Sequence, residues 1–285
     1  MSRGIRPKKK LLGFPPIYSR RPDVFEQQQT KRQLALEIER IRREAEIAHR
    51  LQLAVSPSDD IYWDTLSVGS MMIPAEELVG DFFDVLRNGK ESFLTYVADV
   101  SGHGIQTSLL TIYLQERMRV HAATFTPYPS SILRQLAHDF CKLQMDPSLY
   151  VTMVVCLYDS EQKTLAVSNA GHNCPPLIVR EDGRTEAVPV SGLPISILSD
   201  EADYEDEIIS MYKGDRIILY TDGIVDEAAQ PPGRVFGHED VRREAERSRG
   251  ADAPGAVRHI MEEARKGNAF AAKDDRLLVA VDILR

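Results

Sequence analysis

The order of apolar and polar residues predicts a helix near the start of the chain. Between about Gln27 and Ala54, apolar positions follow each other at intervals of 4, 3, 4 and 3 residues, at Leu34, Ile38, Ile41, Ala45 and Ala48. This seam repeats every 3.5 residues, which is typical of a coiled coil. A single amphipathic helix packed on its own domain is the alternative. We predict a helical linker or dimerisation segment over residues 23–56, ended by Ser56-Pro57-Ser58.

From Trp63 onward, short apolar runs separated by turn residues predict strands. Asn88-Gly89 lies between two such runs and predicts a tight hairpin, because both residues tolerate a positive φ. The predicted strands are Ser67–Ile73, Phe82–Arg87, Ser92–Ala98, Val151–Tyr158, Thr164–Asn169, Leu177–Arg180, Glu186–Val190, Glu205–Met211, Arg216–Tyr220 and Leu277–Leu284.

Four further segments have helical spacing. They are Ile105–Ala123, Ser130–Gln144, Glu239–Ser248 and Pro254–Lys266. Ser130 or Ser131 is the expected N-cap of the second of these helices. Hairpin-linked strands with two pairs of helices favour the α+β class over alternating βαβ units. We predict two mainly antiparallel sheets packed face to face, each covered on its outer side by a helix pair.

Composition limits the kind of protein. The chain has 285 residues, of which 43% are hydrophobic, so it can bury a core as one large domain with an appendage or as two domains. Its three cysteines form no paired framework, which favours a reducing cytoplasm. No apolar run approaches the roughly 18 residues of a spanning helix, so we expect no integral membrane segment.

Charge is distributed unevenly along the chain. Residues 1–50 contain 13 Lys and Arg against 6 Asp and Glu, whereas residues 51–285 contain 22 against 37. An acidic domain is a poor match for nucleic-acid phosphates, so we expect no nucleic-acid partner. Residues 1–22 are rich in Pro and basic residues without periodicity, and they predict a flexible basic arm. This arm is either a solvated tail or a contact for an acidic partner or membrane surface.

Candidate chemistry lies in five short segments that are far apart in the sequence. They are Val79-Gly80-Asp81-Phe82-Phe83-Asp84, Ala98-Asp99-Val100-Ser101-Gly102-His103-Gly104, Asn169-Ala170-Gly171-His172-Asn173, Tyr220-Thr221-Asp222-Gly223 and Asp274-Asp275-Arg276. The four that carry Asp follow or precede a strand-like run, so these residues can meet across a sheet. Carboxylates that converge without basic partners repel each other, and hard divalent cations relieve that repulsion.

Each of these residues, taken alone, has an ordinary structural explanation. Asp222-Gly223 suits a tight turn, and Asp274-Asp275 suits a charged loop. Asp81 suits a strand end, and an isolated His103 or His172 is more often a hydrogen-bonded loop or core residue than a catalyst. The joint order and framing of the segments favour a site.

Other chemistries lack their sequence signatures. The chain has no zinc-type spacing of His and Cys, no Gly-rich loop ending in Lys-Ser/Thr and no GxGxxG. Neither Gly171-His172-Asn173 nor Ser101-Gly102-His103 forms the GxSxG elbow of a serine hydrolase. Two-metal phosphate chemistry, by contrast, needs a bridging carboxylate, flanking carboxylates and room for water.

Together with Pro74-Ala75 and Gly192-Leu193-Pro194, the five segments resemble the SpoIIE/RsbU branch of the metal-dependent 2C-type (PPM) protein serine/threonine phosphatases. The resemblance covers roughly residues 40–285 and includes the helical run at 45–52. It implies a four-layer αββα sandwich with a two-metal site between the sheets. The PPM-type phosphatase domain is then expected over residues 57–285.

The resemblance also assigns roles by motif position. It implies two divalent cations, Mn²⁺ or Mg²⁺, with Asp99 bridging both and the Val100 carbonyl ligating the second. Asp81, Asp222 and Asp274 complete the ligand set. The resemblance further implies that a metal-bridged hydroxide would attack the phosphorus of phosphoserine or phosphothreonine in line, without a covalent phospho-enzyme.

Neighbouring positions receive lesser roles or depart from the family pattern. Asp275 is the weaker choice of its pair, Asp84 is expected as an outer neighbour of the site, and His103 is a candidate general acid. Val79 stands where the family usually has Gly, and Leu277 stands where it usually has Thr.

Three functions remain open at this point. The resemblance implies a phosphatase that acts on a phosphorylated anti-sigma-factor antagonist (STAS) protein in bacterial partner switching. The seam of the N-terminal helix, joined directly to the catalytic domain, predicts a homodimer and a contact for a regulatory protein. An inactive scaffold of the same fold is the second reading, although every predicted ligand is present. A small-molecule phosphohydrolase is the third, although the chain lacks a nucleotide-binding loop.

Overall fold

A computed structural model describes residues 24–58, 60–89, 92–124, 128–225, 236–267 and 274–285. The predicted basic arm at 1–22 lies outside the described residues. The chain divides into two compact units, Met1–Arg43 and Glu44–Arg285. The boundary between them falls within the first helix, α1 (Val24–Val55).

Helix α1 confirms the predicted N-terminal helix and differs in exposure between its two parts. In the first unit, Leu34, Ile38 and Ile41 are 59%, 43% and 50% exposed. In the second unit, Ala48 and Gln52 are buried. The Gln52 side chain donates to the Val79 carbonyl and to the Thr111 hydroxyl, both at 2.8 Å. The last turns of α1 are therefore part of the globular unit.

Two mainly antiparallel sheets form the middle of the second unit. Among the described residues, sheet A has six strands in the order β1 (Asp60–Tyr62), β2 (Leu66–Ile73), β12 (Arg276–Ile283), β11 (Arg216–Tyr220), β7 (Leu177–Val179) and β8 (Thr185–Ala187). Sheet B in the same residues has the order β10 (Glu207–Ser210), β6 (Thr164–Ala170), β5 (Tyr150–Asp159), β4 (Ser92–Val100) and β3 (Asp81–Asn88), with β9 (Ile195–Ser196) paired to β5.

Two helix pairs cover the outer faces. Helices α2 (Ile105–Thr124) and α3 (Pro129–Lys142) lie on sheet B, and helices α4 (His238–Arg247) and α5 (Ala253–Gly267) lie on sheet A. The predicted α+β class and αββα layering are confirmed. The tight hairpin at Asn88-Gly89 joins β3 to β4, with Gly89 at a φ of +78°.

In the part of the chain that the structure describes, three apolar cores lie between the four layers. Alternate residues of each strand enter different cores, because successive strand side chains point to opposite faces. The core between the sheets includes Phe83, Val97, Val154, Leu219 and Leu277. The core under α2 and α3 includes Phe82, Tyr96, Leu114, Leu133 and Phe140. The core under α4 and α5 includes Ile218, Val257, Ile260 and Leu278.

One detail of the predicted helices is wrong. Helix α3 begins with Tyr128 as its N-cap residue and Pro129 at the first helical position, so neither Ser130 nor Ser131 caps it. Proline suits that position because its φ is fixed and it has no N–H to satisfy. The Asp206 carboxylate accepts hydrogen bonds from the Ser130 N–H and hydroxyl instead, at 2.8 and 2.5 Å.

Candidate metal centre

Asp81 and Asp99 face each other across two neighbouring strands of sheet B. They are paired residues in the β3–β4 register. Directly opposed residues of an antiparallel pair project to the same face. That face is the one between the sheets, because Phe83 and Val97, two residues away on each strand, belong to the core there. Two carboxylates are therefore held side by side inside the sandwich.

Sheet A brings Asp222 and Asp274 to the same end of the sandwich. Asp222 begins a short 3₁₀ turn directly after β11, and Asp274 lies just before β12. These strands are neighbours, with Tyr220 paired to Leu278. Both side chains repel Asp99 electrostatically. The structure thus brings together the four Asp residues that the sequence nominated.

Crowding and burial raise the pKa values of this carboxylate group. Burial and then repulsion by Asp99 raise the pKa of Asp81 well above its usual range. Burial, followed by repulsion from Asp222 and Asp274, raises the pKa of Asp99 to about 7. Burial also raises the pKa of Asp274. Among the described residues that shift Asp81 and Asp99, none is basic, so the group lacks an internal counter-charge.

The donor set fits hard divalent cations. It consists of carboxylate oxygens and a nearby backbone carbonyl, the ligands that Mg²⁺ and Mn²⁺ prefer. Within the described ranges, no three His, Cys, Asp or Glu side chains converge closely enough to hold a metal ion as they stand. The carboxylates must therefore approach each other further to share a cation.

Two glycines give the candidate ligands room. A Cβ at Gly80 would lie 2.9 Å from the carbonyl oxygen of Val100, the predicted backbone ligand. A Cβ at Gly223 would lie 1.9 Å from the Asp275 carbonyl oxygen. Gly223 is therefore required for the close approach between the turn after β11 and the residue before β12.

Asp274 and Asp275 have different environments. Asp275 is buried, and its two carboxylate oxygens accept from the Ala75 and Gly80 N–H groups, each at 2.8 Å. Asp274 is exposed, and its carboxylate accepts from the Asp275 N–H at 2.9 Å. Asp275 thus anchors the loop before Asp81, which leaves Asp274 as the better candidate ligand of the pair.

Asp84 does not belong to the carboxylate group. It lies three residues after Asp81 on β3, so it projects to the opposite face of sheet B. There it forms a 2.8 Å ion pair with Arg119 of α2 and accepts from the Val85 N–H at 2.8 Å. The expectation that Asp84 is an outer neighbour of the site is wrong for this reason.

Thr221 is a site residue that the sequence did not single out. Its buried hydroxyl donates to Asp81 Oδ2 at 2.6 Å and accepts from the Leu277 N–H at 3.0 Å. The Leu277 side chain packs in the core between the sheets. Leu277, which stands where the family usually has Thr, therefore contributes its backbone N–H. Thr221 supplies the hydroxyl beside the Asp81 carboxylate.

The segment at 169–173 lines the site without contributing a carboxylate. Asn173 Nδ2 donates to Asp222 Oδ2 at 3.2 Å. His172 is buried and contacts Tyr220, two residues before Asp222. His103 is exposed between Gly102 and Gly104, which have φ values of +90° and +89°. No hydrogen bond recorded between described residues joins His103 to the four Asp residues, so its role as an acid stays a prediction.

The fold is that of the PP2C-type, or PPM, phosphatases. The SiaA-PP2C domain of Pseudomonas aeruginosa matches with a TM-score of 0.72 at 17% identity, over 87% of this chain and 99% of that domain. The catalytic domain of the serine/threonine phosphatase PstP, solved with two manganese ions, matches with a TM-score of 0.57 at 13% identity, over 78% and 99%. These likenesses concern the fold.

Sequence comparison narrows the class to one branch. The family described as Stage II sporulation protein E (SpoIIE) matches residues 89–284, and the chain belongs to this family, the SpoIIE/RsbU branch of the PPM phosphatases. The phosphoserine phosphatase RsbU of Bacillus subtilis (strain 168) is 25% identical over 258 residues, which are 90% of this chain and 74% of RsbU. No helix within the described residues is long and apolar enough to cross a membrane.

Proposed function

We propose that this chain is a metal-dependent phosphatase of phosphoserine and phosphothreonine in proteins. One observation carries the proposal: four carboxylates from two sheets meet at one edge, and no basic group is among those that perturb the pKa values of Asp81 and Asp99. Membership of a family whose relative RsbU is named a phosphoserine phosphatase supports the choice of reaction.

The described residues have separable roles in this reaction. Two divalent cations, when bound, lower the pKa of a water molecule and neutralise phosphate charge. Asp99 is paired with Asp81 in sheet B and is also repelled by the sheet A carboxylates Asp222 and Asp274, which suits a bridging ligand. Thr221 orients Asp81, and Asn173 orients Asp222, through the hydrogen bonds described above. The Val100 carbonyl is the proposed backbone ligand of the second cation.

Mn²⁺ and Mg²⁺ are the proposed cations, and both accept oxygen donors. The PstP structure contains two manganese ions, which supports a dinuclear site in this fold. Zinc is disfavoured because the donor set contains neither thiolate nor imidazole.

The proposed substrate is a phosphorylated STAS-domain anti-sigma-factor antagonist in a partner-switching pathway. Similarity to RsbU over 90% of the chain supports this substrate class. We place the reaction in the cytoplasm, which is consistent with Cys141, Cys156 and Cys174 being outside any disulfide.

Phosphate release tests the proposal directly. With Mn²⁺ present, the full chain should release phosphate from a phosphoserine-containing STAS protein and lose that activity when the metal is chelated. Release from small aryl phosphates should be far slower, because they lack the protein surface that helps binding. The same phosphoprotein incubated without enzyme is the control. Tight binding of the phosphoprotein without release would favour the inactive scaffold, and release from small phosphates alone would favour a small-molecule phosphohydrolase.

We also propose that α1 forms a homodimer and is the contact for a regulatory protein. Leu34, Ile38 and Ile41 repeat on one seam and are exposed in the single chain. Apolar side chains at these spacings bury each other in a two-stranded coiled coil.

Charge placed on the seam should separate the dimer. Ile38→Glu should shift the full chain from dimer to monomer by light scattering, because a charge in a coiled-coil seam is desolvated without a partner. Leu36→Glu is the matched control, since Leu36 is 66% exposed and lies off the seam. A wild-type chain that is monomeric at all accessible concentrations, or equal effects of the two substitutions, would contradict the dimer.

A further inference from the structure

His172 connects the two sheets beside the carboxylate group. Its Nε2–H donates to the Tyr220 carbonyl on β11 of sheet A at 2.9 Å. Its Nδ1 lies 3.2 Å from the Thr152 hydroxyl on β5 of sheet B. Because a carbonyl only accepts, the ring proton is on Nε2 and the Thr152 hydroxyl donates to Nδ1. Burial lowers the pKa of His172, which favours this neutral form.

Each end of this bridge adjoins a candidate ligand. Thr152 is the residue paired with Asp99 in the β4–β5 register, so it shares the face that Asp99 occupies. Tyr220 is followed by Thr221 and then Asp222 at the end of β11. The His172 bridge therefore links Thr152, the cross-strand neighbour of Asp99, to the backbone that leads to Asp222.

A second cross-sheet link lies on the other side of Asp99. Thr221 of sheet A donates to Asp81 of sheet B at 2.6 Å, and Asp81 is paired with Asp99 on β4. The row formed by Asp81, Asp99 and Thr152 in sheet B is therefore tied to one short stretch of sheet A at both of its ends.

The turn that carries His172 holds the ring in place. Asn169 Oδ1 accepts from the His172 N–H at 2.7 Å, and Asn169 Nδ2 donates to the His172 and Val190 carbonyls at 2.9 Å each. Gly171 has a φ of +72°, and a Cβ there would lie 2.4 Å from Pro194. The ring therefore has a fixed approach to both of its partners.

We propose that His172 is a positioning residue, which with Thr152 sets the separation between the sheet B carboxylates Asp81 and Asp99 and the sheet A carboxylates Asp222 and Asp274. Groups that orient metal ligands from outside commonly change metal affinity when they are removed. The inference rests on the proposed function only in taking these carboxylates as cation ligands. It requires no particular substrate.

Mn²⁺ affinity is the decisive measurement. In the full chain, His172→Ala should weaken Mn²⁺ binding by about tenfold or more, measured from the electron paramagnetic resonance signal of free Mn²⁺. The Mn²⁺ concentration for half-maximal phosphatase activity should rise by the same factor. At saturating Mn²⁺, the KM for a phosphoprotein should stay near the wild-type value, because the bridge does not contact substrate in this proposal.

Three further variants separate positioning from a general loss of structure. His172→Gln keeps a side-chain N–H for the Tyr220 carbonyl and should recover most of the Mn²⁺ affinity. Thr152→Val removes only the hydroxyl and should weaken binding in the same direction, and its effect should be smaller once His172 is already replaced. His138→Ala, on the outer surface of α3, is the matched control and should bind Mn²⁺ like the wild type.

Several outcomes would overturn the inference. It fails if folded His172→Ala or Thr152→Val binds Mn²⁺ as the wild type does, even when its melting temperature has fallen. Because His172→Gln and Thr152→Val keep side chains of similar size, the test does not depend on the alanine variant folding. Weaker Mn²⁺ binding in a chain that never releases phosphate would support the inference and refute the proposed function. Absence of Mn²⁺ binding by the wild type would refute both.

Discussion

Replacing Asp99 with asparagine should abolish metal-dependent phosphatase activity and at the same time stabilise the metal-free protein. The activity loss is expected to reach about three orders of magnitude, because Asp99 is the proposed bridging carboxylate and would contribute to binding both cations, whose charge is central to phosphate hydrolysis. Asparagine keeps the shape of the side chain, so the β3–β4 pairing should persist. Phosphate release from a phosphoprotein at saturating Mn²⁺ measures this effect.

The stability gain follows from the raised pKa of Asp99. In the folded, metal-free chain this pKa is about 7, against an ordinary value of 3.8. Between about pH 4 and pH 7, Asp99 therefore keeps its proton in the folded chain and loses it in the unfolded chain. The free energy of unfolding falls as pH rises through this range, and the loss is complete above about pH 7. Asp99→Asn removes that loss, which is on the order of 4 kcal/mol for a pKa difference of about three. The difference in unfolding free energy should be small near pH 4 and largest at pH 8.

A matched control and a contrary result are available for this prediction. Asp203→Asn changes an exposed carboxylate that pairs with Arg134 on the surface, so it should alter neither activity nor the pH dependence of stability. Activity in Asp99→Asn close to that of the wild type would refute the bridging role. A variant that is less stable than the wild type at pH 8 without metal would show that Asp99 is not under electrostatic stress.

Much of the fold could be predicted from the sequence, because the apolar spacing of each segment agrees with the strand or helix that the packed layers require. Short apolar runs on either side of the Asn88-Gly89 turn predict the β3–β4 hairpin of sheet B, and apolar residues at helical spacing predict α2. The strands β1 and β9 were missed because three and two residues are too short to show a period. Their pairing depends on neighbours that are distant in sequence.

The sequence predicted the four carboxylates of the candidate site, but few of the residues that hold those carboxylates in place. Period-2 alternation on β3 already separates Asp84 from Asp81, so that error had a signal in the sequence. The roles of Thr221 and His172 had none, because their hydrogen bonds cross between sheets and arise only when the layers pack. The same applies to Asp275, whose two backbone partners are about 200 positions away in sequence.

The adjacent residues Asp274 and Asp275 should give opposite results when each is replaced with asparagine. Asp275→Asn should lower the free energy of unfolding by about 2 kcal/mol, because an amide cannot accept from both the Ala75 and Gly80 N–H groups and leaves a buried donor facing another donor. This loss outweighs the relief of the repulsion that Asp275 exerts on Asp81 and Asp99. Asp274→Asn should leave the metal-free protein as stable as the wild type or more so, because it removes one of the charges that repel Asp99. Urea unfolding of the two metal-free variants measures this contrast.

Metal binding should reverse the order of the two variants. Asp274→Asn should lose most of the Mn²⁺-induced increase in melting temperature, because a ligand stabilises the fold only in proportion to its affinity for the folded state. Asp275→Asn should keep a clear increase, since its carboxylate anchors the loop at 75–80 and is not a proposed ligand. If Asp275→Asn loses the Mn²⁺ response and Asp274→Asn retains it, the ligand assignment within this pair must be exchanged. That exchange would in turn require the loop before Asp81 to be held by other groups when metal is bound.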